Sequence, residues 1–435
     1  MKSWIRVRSR GSRIVHVGIA LLLMLAGPAI AQQEGEDISW KEFADNQYYK
    51  VHLNMRARIE LGDIDEKQRS EAYTLRTRLG IGSKPYAGFS GYVEMENVLS
   101  VCSSCYFDAV ESLSGQTPIA DPEFTQLNRA FIKYANEGDH PLSLLVGRQR
   151  ITFDDQRFIG NIPWRQNEQT FDSAYGESSF GFEGLRVRYG YIWDVKRIFA
   201  DKGNDASRQD FDSRSHIINI SYQTDLPSAP RIAVFGYLLE FENDSPRSAI
   251  ASSNSYGFRA NGHFDLDGEW SLDYILSYAY QTDAGDNLID YGAHYVWASF
   301  DIGYKPLGSF GLGYEMLGSD DNKARFVTPV STAHKFNGFA DVWLDNGGVG
   351  GLENLYVSLA PKLPWGLKSK LTYHRFWSEA TGTNLGGEID GVLGKKLGRG
   401  FSVFSKGAYY DSTGTARTLS RNDTWRWSIQ IDYDF

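Results

Sequence analysis

Short segments in which apolar and polar residues alternate recur along the whole 435-residue chain, and they constrain the fold more than any other feature. A period of two places the apolar side chains on one face of a β-strand and the polar ones on the other. Such segments begin near Lys50, Tyr73, Leu185, Leu272 and Leu367. The last one closes the chain, with apolar side chains at Trp425, Trp427, Ile429, Ile431, Tyr433 and Phe435. The pattern predicts an all-β protein.

Two other classes of protein are excluded by composition. No run of about 18 apolar residues follows residue 31, which is the length that a membrane-spanning helix needs. Aromatic residues make up 14% of the chain, and a disordered chain does not keep so many of them in water. The formal net charge of −9 disfavours nucleic acid as a partner.

The first 31 residues have the pattern of a secretory signal peptide. Ile14 to Ala26 form an apolar stretch, and Ala29-Ile30-Ala31 is a small-residue cleavage site. The cationic region before them contains Lys2, Arg6, Arg8, Arg10 and Arg13. We therefore expect a signal peptide over 1–31, a short periplasmic segment over 32–47, and one β-domain over 48–435.

The connections between the predicted strands are of two lengths. Eight tight turns are expected near 84–88, 136–140, 191–194, 226–230, 266–269, 305–308, 363–366 and 397–400, and longer polar loops lie between them. This alternation predicts 18 strands with both chain ends at the short turns, which is typical of a transmembrane antiparallel up-and-down β-barrel in the outer membrane of Gram-negative bacteria. If 335–343 were itself a strand, the count could be 16.

A β-sheet can cross a bilayer only when it closes, because unpaired backbone groups are costly in hydrocarbon. The C-terminal strand should therefore pair beside the strand at 50–60. Tryptophans near strand ends fit interfacial aromatic girdles, although aromatics could also fill an ordinary soluble core. Outer-membrane lipid is the expected surrounding, and the barrel-assembly machinery is expected to act through the C-terminal strand.

The polar face of the predicted strands is rich in arginine. If it lines a lumen, rings of guanidinium groups would favour anions there and could bind planar carboxylates with two hydrogen bonds. The alternative is that arginine and glutamate neutralise each other and hold the wall together, and both could be true. The predicted pore-lining residues are Arg56, Arg58, Arg76, Arg78, Glu94, Glu96, Arg129, Arg186 and Arg188.

The loop at 148–172 is too long and too rich in charged and aromatic residues for a passive loop tip. We expect it to fold inward and to form a constriction, although a packed surface loop is the alternative. The constriction residues would be Arg148, Arg150, Asp154, Asp155, Arg157, Trp164 and Arg165.

No enzyme motif, metal site or cofactor site is predicted. The histidines are scattered, and Glu94 with Glu96 is more simply explained by ion pairs than by acid–base catalysis. Cys102 and Cys105 in CSSC suggest a local disulfide in an exported protein, with free thiols as the alternative.

Several motifs also resemble the alginate export family of outer-membrane porins. They are R-x-R-x-E at 56–60, TLRTRLGIGSKP, G-R-Q followed by R-F-I-G and W-R-Q, and HKFNGFADVW with GLENLYV. The resemblance implies an 18-stranded barrel that passes an anionic uronate polymer outward with the help of periplasmic proteins. It also implies a pore-lining or constriction role for Arg56, Arg58, Arg76, Arg78, Arg129, Arg148, Arg157 and Arg165.

Three functions follow as hypotheses. The first is an anion-selective porin that exports an acidic polysaccharide. The second is an uptake channel for small carboxylates or sugars. The third is a barrel with an enzymatic or structural role that conducts nothing.

Overall fold

The structure is a computed structural model that describes residues 44–435 apart from 111–114, 204–205, 225, 227–229, 243–244, 246–247 and 249. The predicted signal peptide, and the predicted segment 32–47 except for its last four residues, lie outside the described part. Residues 46–435 form one compact unit. Its main element is a single sheet of 18 antiparallel strands.

The strands are numbered in chain order, and two of them, β14 and β15, form a separate small hairpin. Their bounds are β1 Tyr49–Ile64, β2 Ser70–Ser83, β3 Phe89–Ser100, β4 Phe124–Asn136, β5 Leu142–Gln149, β6 Thr170–Ser178, β7 Leu185–Lys196, β8 Asp210–Gln223, β9 Arg231–Leu239, β10 Ser253–Asp265, β11 Trp270–Asp283, β12 Gly292–Tyr304, β13 Gly308–Leu317, β14 Ser319–Asp320, β15 Ala324–Arg325, β16 Leu352–Pro361, β17 Lys368–Trp377, β18 Asn384–Gly398, β19 Phe401–Ser412 and β20 Thr424–Asp434.

The described helices are short and lie in the connections. The α-helices are α1 Ala206–Gln209 and α2 Gly414–Thr418, and the 3₁₀ helices are Ser103–Cys105, Ala200–Lys202, Ala333–Lys335, Gly348–Gly350 and Pro364–Gly366. Among the described residues, none of the helices has the length and hydropathy of a membrane span.

The sheet closes on itself through its first and last strands. β1 pairs antiparallel with β20 from Asn54 opposite Asp434 to Ile64 opposite Thr424. The backbones of Leu53 and Phe435 exchange two hydrogen bonds at the end of this seam. The predicted closure and the count of 18 are therefore confirmed, and 335–343 is not a strand of the barrel.

One predicted turn is wrong. Residues 191–194 lie inside β7, where a β-bulge between Ile192 and Asp194 interrupts the register with β8. The turn that the sequence reading missed connects β6 to β7 over 179–184. One turn was predicted where there is none and one turn was missed, so the strand count is still 18. Ile192 and Trp193 are consecutive apolar residues at the bulge, which explains why the alternation is interrupted there.

The two faces of the sheet differ as the alternation predicts. Large apolar side chains stand exposed on the outside, among them Leu79, Ile132, Val146, Val234, Leu312 and Leu359. These residues cover the surface that meets lipid hydrocarbon. Tight turns connect the strands at the end that holds the C-terminus, which is the periplasmic end by the usual barrel asymmetry.

Three of the longer connections at the opposite, extracellular end have many buried residues. Loop A is residues 150–169, loop B is residues 318–351, and loop C is residues 101–123. Loop A is held between opposite walls of the barrel, and Phe153 and Ile159 join the buried core together with Phe326 and Trp343 of loop B. The hydrophobic core thus lies inside the barrel lumen, where these loops pack against the strands.

Candidate functional site

The first two strands present four arginines to the lumen. In the register of β1 and β2, Arg56 lies directly opposite Arg76, Arg58 opposite Thr74, and Arg78 opposite Asn54. Like charges directly opposite each other destabilise a sheet, so other groups must compensate for the Arg56 and Arg76 pair. Arg56 Nε lies 2.6 Å from Oδ1 of Asp432 on β20.

Arg76 differs from its neighbours. Its guanidinium donates a hydrogen bond to the side-chain oxygen of Asn54, while Nε and Nη1 are buried without an acceptor in the described part of the chain. No described carboxylate oxygen lies within 4.0 Å of it, although Arg56, Arg58 and Arg78 each have one. Arg76 is therefore a buried guanidinium that is not neutralised by a direct partner.

Arg58 connects the wall to two loops. Its Nη1 lies 3.2 Å from Oδ2 of Asp121 in loop C and 3.6 Å from Oε2 of Glu60. Its guanidinium carbon stacks 4.0 Å from the ring centre of Trp164 in loop A, and the side chain also donates to the Trp164 carbonyl. The predicted constriction residue Trp164 thus lies against the arginine wall.

Glu168 of loop A is the centre of a second group of charges. Arg78 Nη1 lies 3.5 Å from Glu168 Oε1, and Arg150 Nη2 lies 2.5 Å from the same oxygen. Burial alone would raise the pKa of Glu168, but the charges of Arg78 and Arg150 outweigh it, so the pKa lies well below its usual range. Glu168 is therefore a carboxylate that fixes loop A to the wall.

The two predicted pore glutamates form ion pairs. Glu96 Oε1 accepts from Arg78 at 3.0 Å, and Glu94 Oε2 lies 2.6 Å from Arg129 Nη2. A β-bulge between Glu94 and Met95 lets Asn128 as well as Arg129 contact Glu94, with Asn128 Nδ2 at 2.8 Å from Glu94 Oε1. This geometry is that of a neutralised wall.

Loop A crosses the lumen and is fixed on the opposite wall as well. Arg157 Nε lies 2.6 Å from Oε1 of Glu315 on β13, and both side chains are almost fully buried. Burial would lower the pKa of Arg157, but the charge of Glu315 outweighs it and raises the pKa.

Asp154 and Asp155 extend the contact to β9 and β10, with Asp154 Oδ1 2.7 Å from Arg231 Nη1 and Asp155 Oδ2 2.9 Å from Arg259 Nη1. Arg188 on β7 lies 4.0 Å from Asp154.

Loops A and B meet at Arg165. Its Nη1 lies 3.3 Å from Oε1 of Glu60, and its Nη2 lies 2.5 Å from Oδ2 of Asp341 in loop B. Burial would lower the pKa of Arg165, but Glu60 and Asp341 raise it above the usual value. Burial would likewise raise the pKa of Asp341, which His334 and Arg165 hold well below its usual range.

A cluster of aromatic rings around the amine of Lys406 lies at this junction, and the sequence did not predict it. The rings of Trp164 and His334 stack with centres 5.0 Å apart, and Lys406 Nζ of β19 lies 3.1 Å from the Trp164 ring centre. His334 Nδ1 lies 2.5 Å from Oδ1 of Asp341, while Nε2 accepts from Lys406. A neutral imidazole with its proton on Nδ1 satisfies both contacts, and burial lowers the pKa of His334 to about 4. HKFNGFADVW contains these loop residues, but nothing in its spacing shows that it meets Trp164.

Arg148 and Arg186 differ from the other predicted site residues. Arg148 belongs to β5 and shares the outward face with Leu144 and Val146, so its placement in an inward constriction is wrong. Its Nε lies 2.8 Å from Oδ1 of Asp172, which also faces outward on β6. Arg186 is on the inner face near the periplasmic end, well exposed, with Nε 3.1 Å from Oε1 of Glu177.

Cys102 and Cys105 form a disulfide at the start of loop C. Within the described ranges, no group of three or more His, Cys, Asp or Glu residues is arranged to hold a metal ion.

Two cavities adjoin the described parts of the loops. The outer vestibule, a cavity of about 370 Å³, lies at the extracellular end between loop B, the β7 to β8 side and the β9 to β10 loop, and loops A and C contribute Ile162, Arg165 and Ala120. The inner vestibule, of about 190 Å³, lies on the periplasmic side of loop B and is lined by Lys335, Lys370, His374 and Asp390 among others. Residues 333–341 of loop B contribute to both cavities, with His334 and Asp341 facing the outer one and Lys335 to Phe339 the inner one.

The comparisons with known proteins agree with this architecture. The alginate export family model matches residues 41–415. Among solved structures, OccAB3 of Acinetobacter baumannii aligns with a TM-score of 0.67 at 14% identity, covering 89% of this chain and 99% of that one. OpdK of Pseudomonas aeruginosa, solved with vanillate, aligns with a TM-score of 0.66 at 16% identity, covering 89% and 98%. At these identities the likeness shows the fold. Among curated proteins, none matches the chain.

Proposed function

This chain belongs to the alginate export family and is an outer-membrane β-barrel channel, and we propose that it selects anions and passes solutes that carry carboxylates. The observation that carries the proposal is Arg76, a lumen guanidinium without a carboxylate partner in the described structure, directly opposite Arg56. Because Arg56 pairs with Asp432 and the other wall arginines are largely neutralised, the excess positive charge is concentrated at Arg76. Arg76 is almost fully buried in the described state, so a carboxylate that reaches it after the loops move would supply the missing acceptor.

The family suggests a uronate polymer as the solute and periplasmic export proteins as partners. A polymer chain cannot pass while loops A and B fill the lumen, since Arg157 and Trp343 are almost completely buried inside it. Export of a polymer therefore requires at least one of these loops to leave its place. We propose that the ion pairs of Arg157 and Arg165 hold this closed state.

A second candidate is uptake of small carboxylates. Two observations favour it: each vestibule has the size of a single small solute, and OpdK, which shares the fold, was solved with vanillate. Under this alternative a small displacement of the loops would be enough. The two candidates share anion selectivity and differ in the size of the solute.

Anion selectivity is tested by reversal potentials of the mature chain in planar bilayers under a KCl gradient. We expect the wild type to prefer chloride, and Arg76→Gln to lower that preference. Arg214→Gln is the matched control, because it removes the same charge from the outer face of β8, where the side chain is 60% exposed. A cation-preferring wild type, or an equal effect of both variants, would contradict the proposal.

Solute size is tested with the same protein in liposomes. Swelling in glucuronate but no block of single-channel current by uronate oligomers would favour uptake of small acids. Block by oligomers together with no swelling would favour the exporter. A correctly folded protein that conducts nothing in either assay would support the third hypothesis, a barrel with a structural or enzymatic role.

A further inference from the structure

The outer vestibule has a composition that the proposed function does not explain. Just over half of the side chains around it are apolar. They include Phe199 and Phe211 from the β7 to β8 side, Ile250 from the β9 to β10 loop, and Val327 and Leu344 from loop B. A cavity of about 370 Å³ lies in the lower part of the range of small-molecule sites. Its walls are suited to an apolar ring.

One cation in this cavity lacks an anionic partner. Arg325 lies on β15 of loop B, and its Nε is buried without a hydrogen-bond partner among the described residues. None of the described carboxylates lies within 4.0 Å of its guanidinium, although Asp345 acts on it from a greater distance. Burial lowers the pKa of Arg325, which reflects the cost of placing this charge away from water.

The carboxylates of the vestibule are already engaged elsewhere. Asp341 binds Arg165 and His334, and Oδ2 of Asp345 lies 2.5 Å from Nη2 of Arg421. Neither is available to neutralise Arg325 without breaking an existing ion pair. The cavity therefore combines apolar walls with a guanidinium that has room for an anion.

Most of the other polar groups around the cavity already have partners, as Arg165 and His334 do with Asp341, and Asp345 does with Arg421. Asn346 Nδ2 donates to the Phe326 carbonyl and to Thr328 Oγ1, and the Ser331 hydroxyl also donates to Thr328 Oγ1. A sugar acid would leave several hydroxyl groups without partners, and an unpaired buried polar group is costly. A ring without hydroxyls avoids this cost.

We propose that the outer vestibule is a binding site for a carboxylate attached to an apolar ring, with Arg325 holding the carboxylate and the side chains of Phe199, Val327 and Leu344 contacting the ring. The inference rests on the second candidate of the proposed function, uptake of small carboxylates, of which it names the solute class and the place of first contact. Guanidinium binds a carboxylate through two parallel N–H donors, which fixes the orientation of the ring toward the apolar wall.

The test measures binding to the purified full chain in detergent by isothermal titration calorimetry, with benzoate as the probe. Acetate supplies only the carboxylate and benzyl alcohol only the ring, so each should bind at least about tenfold more weakly than benzoate. Arg325→Gln should weaken benzoate binding by about tenfold or more, because charge-assisted hydrogen bonds contribute on that scale. Arg325→Lys keeps the charge but loses the two parallel N–H donors, so its affinity for benzoate should lie between those of the wild type and Arg325→Gln.

The matched control is Arg417→Gln, an exposed arginine of α2 that pairs with Asp423 outside the cavity, and it should leave benzoate affinity unchanged. Unchanged benzoate affinity in Arg325→Gln would overturn the proposed site. Glucuronate binding as tight as that of benzoate would overturn the proposal that the site prefers an apolar ring. The reversal potential is measured on the same preparations. A cation-preferring channel that still binds benzoate through Arg325 would refute the proposed function and leave the site in place.

Discussion

At the residue scale, the buried pairing of Arg157 with Glu315 dominates the contact between loop A and the far wall. Both side chains are almost without solvent contact, so each charge depends on the other for compensation. Replacing a whole buried pair can be nearly neutral, whereas removing one partner leaves an uncompensated charge and costs about 3–5 kcal/mol. Loop A is therefore sensitive to single substitutions at these positions.

We expect Arg157→Gln to release loop A and to raise the mean single-channel conductance. The double variant Arg157→Gln with Glu315→Gln should restore part of the closed state, because it also removes the carboxylate that Arg157→Gln leaves unpaired. The measurement is conductance of the single and double variants in planar bilayers. Equal conductance of the wild type and Arg157→Gln would show that the ion pair does not hold loop A.

His334 predicts a dependence on pH. Its pKa is about 4 when loop B is docked and about 6.5 when the imidazole is in water, so the undocked loop binds the extra proton between these values. The docked state is thus unaffected above about pH 6.5 and is progressively destabilised as the pH falls toward 4. Protonation of Nε2 would also break its contact with Lys406.

Open probability should therefore rise below about pH 6.5, by at most about tenfold per pH unit, since one unit corresponds to about 1.4 kcal/mol. His334→Gln should remove this component in recordings from pH 7.5 to 4.5. The control is His263→Gln, at an exposed position beside a tight turn. If the His334 and His263 variants have the same pH profile, the titrating group is a different one.

At the scale of elements, loop B is held on β18 through its backbone. The amide of Ala340 donates to Glu388 Oε1 at 2.6 Å, and the amide of Phe339 donates to Asp390 Oδ2 at 3.1 Å. This close approach requires Gly338, whose φ is +88°. A Cβ added at this position would lie 2.4 Å from the Glu388 carboxylate. A side chain at this position would therefore separate the loop from the strand.

Gly338→Ala should weaken docking of loop B by about 1–3 kcal/mol, which corresponds to about a 5- to 150-fold change in an equilibrium. The expected result is a higher open probability. Gly348→Ala is a matched control, because Gly348 also has a positive φ, of +66°, but a Cβ there would meet no atom within 4 Å. Similar effects of both substitutions would assign the change to backbone strain alone.

At the scale of the whole molecule, stability depends on the closed sheet and its apolar outer face. Leu312 lies in the middle of β13 and faces outward, 45% exposed, between Phe300 of β12 and Val357 of β16. A charge placed here must enter hydrocarbon, which costs about 2–4 kcal/mol at the bilayer midplane.

Leu312→Arg should lower the free energy of unfolding in urea by that amount when measured in lipid vesicles. Leu312→Met is the control and should differ little from the wild type, because it keeps an apolar side chain of similar volume. If Leu312→Arg is as stable as Leu312→Met, this position does not face acyl chains.

The amino-acid sequence by itself determined the barrel, because a period of two and the need to pair every backbone group in hydrocarbon are local and general constraints. It also indicated an arginine-rich inner face, since alternation assigns residues such as Arg56 and Arg78 to one side of a strand. Only the tertiary structure decided which charges meet. The contacts of Trp164 with Lys406, and of Arg157 with Glu315, join residues more than 150 positions apart. The prediction for Arg148 was wrong because the residue was assigned to the loop, whereas it continues the outward face of β5 after Leu144 and Val146. Strand periodicity carries no information on how a loop folds back, because that depends on the ion pairs and packing available inside the closed lumen.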